Sequence, residues 1–296
     1  MTRAGVMGPI LVFGLSEVAS AVAHRLHRDG HFVVLVADAP PKVHRRAMSF
    51  ADVWWDGSAV LAGAARVRIT LEQVLRNGCP VGAVPFLALD TDAALDLLPW
   101  AVAADARLAK RGQPLSLLGR AGLSIGCGPG HVAGETCTLA IETRWGPDLG
   151  AVISRGPTAA LAGEPRAIDG VGRARIVYAQ VAGPLTVLRD IGDPVAAGEA
   201  VARIADHSVV APISGTLRGM LRDRIAILTR DKICEVDPRP PHLALFTGLG
   251  QRPAASAEGV ACAIHRTRLR VPDFAPQKTA SPDKPSLFTS RTEFPS

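Results

Sequence analysis

The first 40 residues alternate between continuous apolar runs and a helical apolar period. Residues 10–13 form a short apolar run, and residues 31–37 form a second run rich in β-branched side chains. Between them, residues 17–28 repeat apolar positions at helical spacing and stop at Asp29 and Gly30, a typical helix terminus. The pattern predicts a βαβ unit with two buried parallel strands and a right-handed crossover.

The alternation of strand-like and helix-like stretches continues further along the chain. We therefore predict an α/β fold whose N-terminal layer, residues 1–175, is Rossmann-like. The remaining predicted elements of this layer are helices at 40–50, 71–76 and 93–98 and strands at 100–104, 123–125 and 136–142, with a further apolar stretch at 84–89.

Residues 176–238 have a different character, with short apolar stretches, regular Gly and Pro, and no helical period. Residues 179–185 correspond to 211–217 at an offset of 32, whereas 188–190 correspond to 221–223 at an offset of 33. One residue is therefore inserted between the two blocks of the second copy. The self-similarity predicts a duplicated β module whose two halves share one core.

The C-terminal part divides into two segments. We expect residues 239–266 to pack on the body of the protein. Residues 267–296 are rich in Pro, Lys, Ser and Thr and carry few aliphatic side chains. Such a segment buries too little apolar surface to offset its ordering entropy, so disorder is predicted there.

The composition narrows the class of protein. A hydrophobic content of 48% with 20% charged residues is typical of a globular chain. No apolar run is long enough for a membrane span, no signal-peptide cleavage pattern is present, and the five cysteines show no paired spacing. These features predict a cytoplasmic protein without a membrane partner. Of the net charge of +6, residues 253–296 account for +2 and the remaining +4 is spread along the body, so no nucleic-acid partner is expected.

The turn after the first predicted strand is a partial dinucleotide fingerprint. Gly14 can make the tight turn, but Ser16 places a Cβ where a pyrophosphate would come closest, while Ala19 is an acceptable third residue. Asp38 follows Gly14 by 24 residues, near the expected position of a ribose-binding acid. Two interpretations stay open: a purely structural layer, or a nucleotide site at Gly14, Ser16 and Asp38.

A second candidate site is a glycine-rich loop between two predicted strands. Four glycines in nine residues exceed what a hairpin needs, and successive backbone N–H groups can form an anion-binding nest. The alternative is a wide structural turn. The candidate binding residues of this loop are Gly126, Gly128, Gly130, Gly134 and Glu135.

Several single residues have both a functional and a structural interpretation. Arg107 and Lys110 follow a predicted strand end and could hold a phosphate, or they could be ordinary surface charges. Cys127 could be a thiolate or persulfide carrier, or a small packed residue. His24 and His27 have metal-compatible spacing, but no further ligand lies nearby, so we predict solvent-facing histidines and no metal site.

Several blocks together resemble the accessory-protein family of the selenium-dependent molybdenum hydroxylase system. The resemblance extends over about residues 8–262 and rests on the order and spacing of the blocks. They are 23–26, 45–50, 105–110, 126–130, 133–135, 141–143, 148–150, 191–193, 210–212, 215 and 221–223. The sequence departs from the family at its first turn, where Gly14-Leu15-Ser16-Glu17 stands in place of Gly-Ala-Gly-Asp.

The resemblance implies a maturation or accessory protein for molybdenum hydroxylases of the xanthine-dehydrogenase-like kind. A hydroxylase subunit would be its partner, and a phosphate-bearing ligand such as molybdenum cofactor would bind at the glycine-rich loop and Arg107 with Lys110. Two alternatives remain: a nucleotide-dependent enzyme of NAD(P)-binding type, and a non-catalytic scaffold that docks a hydroxylase subunit. Whether the protein is an enzyme stays open, as does a homo-oligomer.

The β module resembles lipoyl and biotinyl domains, which are small barrel-sandwich modules. The resemblance lies in residues 192–199 and in Ala211, Pro212 and Gly215. The modified lysine of those domains lies in a hairpin between the two halves, but no lysine occurs between Tyr178 and Asp231. We therefore expect no lipoyl or biotinyl group, and predict a docking or lid module.

Overall fold

The computed structural model describes residues 8–68, 84–108, 113–161, 163 and 165–267. Its helices are α1 (Glu17–Arg28), α2 (Val53–Asp56), α3 (Thr91–Asp96) and α4 (Gln251–Thr267), with 3-10 turns at Arg46–Met48 and Arg173–Arg175. The strands of the N-terminal half are β1 (Ile10–Phe13), β2 (Val33–Ala37), β3 (Ser58–Leu61), β4 (Ala64–Arg68), β5 (Val84–Ala88), β6 (Val102–Asp105), β7 (Leu123–Cys127), β8 (Val132–Ala133), β9 (Leu139–Ile141), β10 (Val152–Ile153) and β11 (Gly156–Pro157). Those of the C-terminal half are β12 (Ile176–Tyr178), β13 (Gly183–Val187), β14 (Pro194–Val195), β15 (Ala200–Ile204), β16 (His207–Val210), β17 (Gly215–Met220), β18 (Ala226–Ile227) and β19 (Lys232–Asp237).

The protein is a mixed α/β structure, as the sequence predicts at the level of fold class. Among the described residues, nine strands form one sheet in the order β10-β9-β7-β6-β1-β2-β5-β4-β3. The inner pairs from β9 to β4 are parallel, and the outer strands β10 and β3 are antiparallel to their neighbours. No helix in the described part is long and apolar enough to cross a membrane.

Helix α1 packs on the sheet beside α4, which returns from the far end of the chain and also contacts β7, β9 and β10. The two helices run parallel: Arg25 pairs with Glu258 along their length, and Glu17 and Arg252 influence each other at their N-terminal ends. Both flanks of α1 are therefore covered. His24 is 8% exposed, so the prediction of a solvent-facing side chain is wrong for it, because α4 was not foreseen as a second packing partner.

Three predicted elements differ from the structure. The helix expected at 40–50 is reduced to the 3-10 turn Arg46–Met48, because the preceding segment is held against the β module, where Met220 N donates to His44 O at 2.7 Å. The helix expected at 93–98 begins two residues earlier, since the Asp90 carboxylate caps it by accepting from Ala93 N. The strand expected at 136–142 is restricted to β9, and the helix expected at 71–76 lies outside the described residues.

Two four-stranded antiparallel sheets, β12-β19-β17-β14 and β16-β15-β13-β18, form the C-terminal β module. Their pairings repeat at an offset of 32. Pro184 pairs with Ala226 in one sheet, as Thr216 pairs with Pro194 in the other. The inner faces of both sheets share one apolar core. The internal duplication read from the sequence is therefore present in the backbone.

The repeat is interrupted at one place in the paired strands. Leu185, Thr186 and Val187 pair with consecutive residues of β15, whereas the pairing of β17 with β19 skips Arg218 between Leu217 and Gly219. This β-bulge is the residue inserted between the two sequence blocks. A bulge bends its strand and redirects a side chain, and here that side chain is Arg218.

The two halves meet through ion pairs. Lys42 contacts Asp231 at 2.5 Å, and Arg222 donates to both carboxylate oxygens of Asp56 at 2.5 and 2.6 Å. Between them, Arg45 donates to Glu235. The segment expected to be disordered, apart from Thr267 at the end of α4, lies outside the described residues.

Candidate functional site

The carboxyl ends of three adjacent parallel strands bring most of the predicted site residues together. Phe13 at the end of β1 pairs in register with Asp105 of β6, and Asp105 pairs with Gly126 of β7. Gly14, Arg107 and the glycine-rich loop therefore leave the sheet side by side. In open α/β sheets, this edge is where ligands bind.

The first turn is covered by the chain that follows β6. The Ser16 hydroxyl accepts a hydrogen bond from Ala19 N at 3.1 Å, which caps α1, and donates to the Ala106 carbonyl at 2.8 Å. A Cβ added to Gly14 would lie 3.0 Å from both Cα and Cγ of Arg107. The space into which a pyrophosphate would approach Gly14 is thus bordered closely by Ala106 and Arg107.

Asp105 is the centre of a buried polar network and is 2% exposed. Its carboxylate accepts from Arg107 Nε and Nη2, both at 2.9 Å, and from Leu115 N at 3.1 Å. His131 Nε2 lies 3.4 Å from the second oxygen of the same carboxylate. Although burial opposes ionisation, the hydrogen bonds from His131 and Arg107 hold the pKa of Asp105 well below its usual range.

His131 is a buried imidazolium in this network. Burial disfavours its charge, but the Asp105 carboxylate and the Cys137 side chain outweigh that effect and raise the pKa of His131 to about 9. Its Nδ1 lies 3.4 Å from Thr136 Oγ1, which also accepts from Val132 N. The charged ring therefore joins the end of β6 to the far side of the glycine-rich loop.

Close packing explains two of the loop glycines. A Cβ on Gly126 would overlap the imidazole ring of His131, and one on Gly128 would lie 2.5 Å from Leu108 Cδ2 and 2.8 Å from Thr143 Oγ1. Gly128 also has a φ of +86°, which favours glycine. The sequence interpretation, in which the glycines expose N–H groups to an anion, did not anticipate these contacts.

Cys127 does not have the surroundings of a reactive thiolate. The side chain is 1% exposed, and burial raises the pKa of its thiol well above the usual range, with Asp105 and Cys137 adding to the effect. The carrier interpretation of Cys127 is therefore wrong, and the packing interpretation holds, because a thiolate needs an electropositive and accessible environment.

The other predicted residues form no hydrogen bond with this network among the described residues. Asp38 is exposed at the end of β2, near enough to raise the pKa of Arg107. Gly130 contacts Pro114 loosely, and Gly134 and Glu135 are exposed on the turn that follows β8. In the described part of the chain, no hydrogen bond or ion pair joins Gly130, Gly134 or Glu135 to Arg107. Lys110 lies outside the described residues.

Sequence reasoning missed a second polar cluster, between the two halves. Glu235 on β19 is fully buried and accepts from Arg45 at 2.7 Å and from Lys232 at 2.6 Å, and it also pairs with Arg175. His44 Nε2 lies 3.2 Å from the same carboxylate. Burial and neighbouring cations lower the pKa of His44 to about 4, so it is a neutral imidazole that donates to Glu235 and not a member of an ion pair.

The cluster extends to three more side chains, each from a different element. Glu17 of α1 accepts from Arg45 at 3.1 Å, Arg218 Nη1 lies 3.6 Å from Glu235, and Arg252 lies in the first turn of α4. The members are scattered from residue 17 to residue 252, so no local pattern in the sequence groups them. The inserted residue in the repeat was the one available signal, because it falls at Arg218.

Comparison with known proteins adds one curated relative. The chain is 32% identical over 251 residues to the protein called "Uncharacterized protein YqeB" of Escherichia coli strain K12, an alignment that covers 85% of this chain and 46% of the relative. The chain thus spans about half the length of this curated relative. No family model matches the sequence.

A solved structure of the ectoine utilization protein EutE (DoeB) from Ruegeria pomeroyi, with product bound, overlaps a small part of the chain. The overlap covers 22% of each chain at 22% identity, with a TM-score of 0.20. A similarity of this size supports no statement on fold or function.

Proposed function

We propose that this chain is a cytoplasmic accessory protein for the maturation of molybdenum hydroxylases. It binds a phosphate-bearing ligand, such as molybdenum cofactor, at the carboxyl edge of the nine-stranded sheet. It then assists either the insertion of this ligand into a hydroxylase subunit or the modification of the ligand before insertion. In this proposal the sheet is a Rossmann-like layer, and the duplicated β module is a lipoyl-like docking domain without a modification lysine. The sequence resemblance supports the role in hydroxylase maturation, and the polar side chains at the edge of the sheet support the position of the binding site.

The observation that carries the proposed site is the anchoring of Arg107 by Asp105. The carboxylate engages Nε and Nη2, which leaves Nη1 without a hydrogen-bond partner in the described part of the chain. The side chain of Arg107 is 27% exposed, whereas that of Asp105 is 2% exposed. An arginine fixed from behind and open at one edge is suited to a phosphate group, since guanidinium groups bind phosphate through directed hydrogen bonds.

The packing at the first turn favours this proposal over a nucleotide-dependent enzyme. The Ser16–Ala106 hydrogen bond and the contact between Gly14 and Arg107 leave little room for a pyrophosphate at Gly14. Asp38 is placed where it could meet a ribose, so the test has to include a nucleotide. Calorimetry with NAD(P) and ATP serves this purpose, and binding that Asp38→Ala abolishes would favour the enzyme.

The main experiment measures the molybdenum content and activity of the hydroxylase in a strain that lacks this chain. We expect wild-type protein to restore both, and Arg107→Ala to restore neither, because the variant loses the phosphate contact while Asp105 remains anchored to His131 and Leu115. The matched control is Arg120→Ala, which removes an exposed arginine that pairs with Asp92 and Asp96, and which should restore both.

Two results would contradict the proposal. If the hydroxylase of the deletion strain has a normal molybdenum content, the proposed accessory role is wrong. Restoration by Arg107→Ala would leave the role in place but exclude this edge as its site. A pull-down with the intact chain tests the partner separately, since the proposal requires a hydroxylase subunit among the bound proteins.

A further inference from the structure

The buried cluster between the two halves is not balanced in charge. Without counting Lys232, the cluster contains four guanidinium groups and only two carboxylates. The guanidinium groups belong to Arg45, Arg175, Arg218 and Arg252, and the carboxylates to Glu17 and Glu235. Asp237 lies near Arg218 as well, but it is engaged in a two-bond pair with Arg239. Burying like charges without compensation is costly, so a surplus of this kind calls for a counter-charge.

The surplus resides in Arg218 and Arg252. The Nε of Arg218 is buried and has no hydrogen-bond partner among the described residues, although its side chain is only 11% exposed. The guanidinium of Arg252 forms no hydrogen bond or ion pair in the described part of the chain and is partly buried. Burial and the neighbouring Arg45 lower the pKa of both groups, as expected for crowded cations.

The carboxylates of the cluster cannot absorb this surplus. Both oxygens of Glu235 are occupied, one by Arg45 and Arg175 and the other by Arg45, Lys232 and His44. Glu17 is engaged by Arg45. The two carboxylates are therefore already engaged by groups other than Arg252, and Arg218 reaches Glu235 only at 3.6 Å.

The backbone is specialised at this place. Arg218 is the bulge residue that interrupts the repeat, and the first copy of the module has no counterpart for it. In the first copy, the positions equivalent to Lys232 and Glu235 are Ala200 and Arg203, and β13 pairs with β15 there without a bulge. The second copy has thus acquired both the charges and the bulge that directs Arg218 among them, a device often found next to binding sites.

Two helix ends add to the positive potential. Glu17 lies in the first turn of α1 and Arg252 in the first turn of α4, and the two helices run parallel. Their N-terminal ends, which carry partial positive charge, therefore face the same cluster. Four side chains of the cluster keep partial contact with solvent. They are between 11% and 22% exposed and belong to Arg45, Arg218, Glu17 and Lys232.

We propose that Arg218 and Arg252, together with Arg45, form an anion site for a phosphate-class dianion that bridges the two halves of the protein. The ligand is either a free tetrahedral oxyanion or the phosphate group of a larger molecule. The site is built from residues other than Arg107 and does not depend on the accessory role, so either proposal can fail without the other.

The test is calorimetry and thermal unfolding of the purified full chain at constant ionic strength, with inorganic phosphate, sulfate and glycerol phosphate as probes and chloride as the reference. We expect phosphate to bind with one site per chain and to raise Tm. Arg218→Gln and Arg252→Gln should each weaken binding by roughly ten-fold or more, because each removes charge-assisted hydrogen bonds. Binding of inorganic phosphate alone indicates a free oxyanion, whereas binding of glycerol phosphate as well indicates an ester.

A second measurement separates a binding role from a structural one. In phosphate-free buffer, Arg218→Met should raise Tm, because it relieves repulsion that no ligand offsets. The matched control is Arg222→Gln, which breaks a balanced pair with Asp56 between the same two halves. It should lower Tm in that buffer and leave phosphate affinity unchanged.

The proposal is overturned if phosphate raises Tm no more than chloride does, or if neither glutamine variant weakens phosphate binding. It is also overturned if Arg218→Met lowers Tm in phosphate-free buffer as Arg222→Gln does, because the cluster is then only a structural bridge. Should Arg218→Met fail to fold, Arg252→Gln gives the same comparison from the edge of the cluster.

Discussion

The imidazole ring of His131 lies directly over the Cα of Gly126, with no room for a Cβ between them. Gly126→Ala should therefore force the ring away from Asp105 and destabilise the protein by about 1–3 kcal/mol, the usual cost of overpacking. Urea unfolding measures the loss. NMR titration should show the pKa of His131 falling towards its ordinary value. In a His131→Ala background the same glycine change should cost much less, and equal costs in both backgrounds would show that the ring is not the obstacle.

Protonation of His131 should make stability depend on pH. Its pKa is raised in the folded state to about 9, from an ordinary 6.5, chiefly because Asp105 favours the charged ring. The stabilisation is complete below pH 6.5 and is lost as the pH rises through 9. The free energy of unfolding should therefore fall across this range, and less so in His131→Gln. Parallel curves for the two proteins would contradict the assignment.

Removal of the charge at Glu235 should be among the most damaging single changes in the β module. Glu235→Gln leaves Arg45 and Arg175 buried without their carboxylate, and breaking a buried pair in this way costs about 3–5 kcal/mol. Thermal and urea unfolding measure the effect. Glu199→Gln is the control, because Glu199 pairs with the half-exposed Arg189 and its loss should change stability little. If both variants lose the same free energy of unfolding, the buried cluster contributes no more to stability than an exposed ion pair does.

Gly259 on α4 separates helix propensity from packing. In an exposed helix, Gly→Ala stabilises by about 1 kcal/mol. At Gly259, however, a Cβ would collide with the carbonyl oxygen of Gly150. Gly259→Ala should therefore lower Tm, by the equivalent of about 1–3 kcal/mol. The control is Ala254→Gly, at an exposed position of the same helix, which should lower Tm through helix propensity alone. A rise in Tm for Gly259→Ala would show that the backbone near Gly150 can move to accommodate the added Cβ.

The sequence predicts the elements whose cause is local. The apolar run 10–13, the helical period 17–28 and the run 31–37 correspond to β1, α1 and β2, because buried parallel strands and amphipathic helices leave their period in neighbouring residues. The predicted helix at 40–50 was wrong for the opposite reason: its segment is shaped by contact with β17, far along the chain. Of the predicted site residues, Gly14, Ser16, Arg107, Gly126 and Gly128 meet at one edge, because all lie at strand ends of one sheet.

By itself, the sequence determined the mixed α/β class, the first βαβ unit and the duplication at an offset of 32, down to the presence of one inserted residue. Only the tertiary structure decided that this residue is a bulge, and that Arg218 thereby joins Arg45, Glu235 and Arg252. Periodicity and repeats are properties of adjacent residues, so they can be read along the chain. Charge balance in a buried cluster depends on which distant residues share a low-dielectric space, and that is fixed only when the two halves pack together.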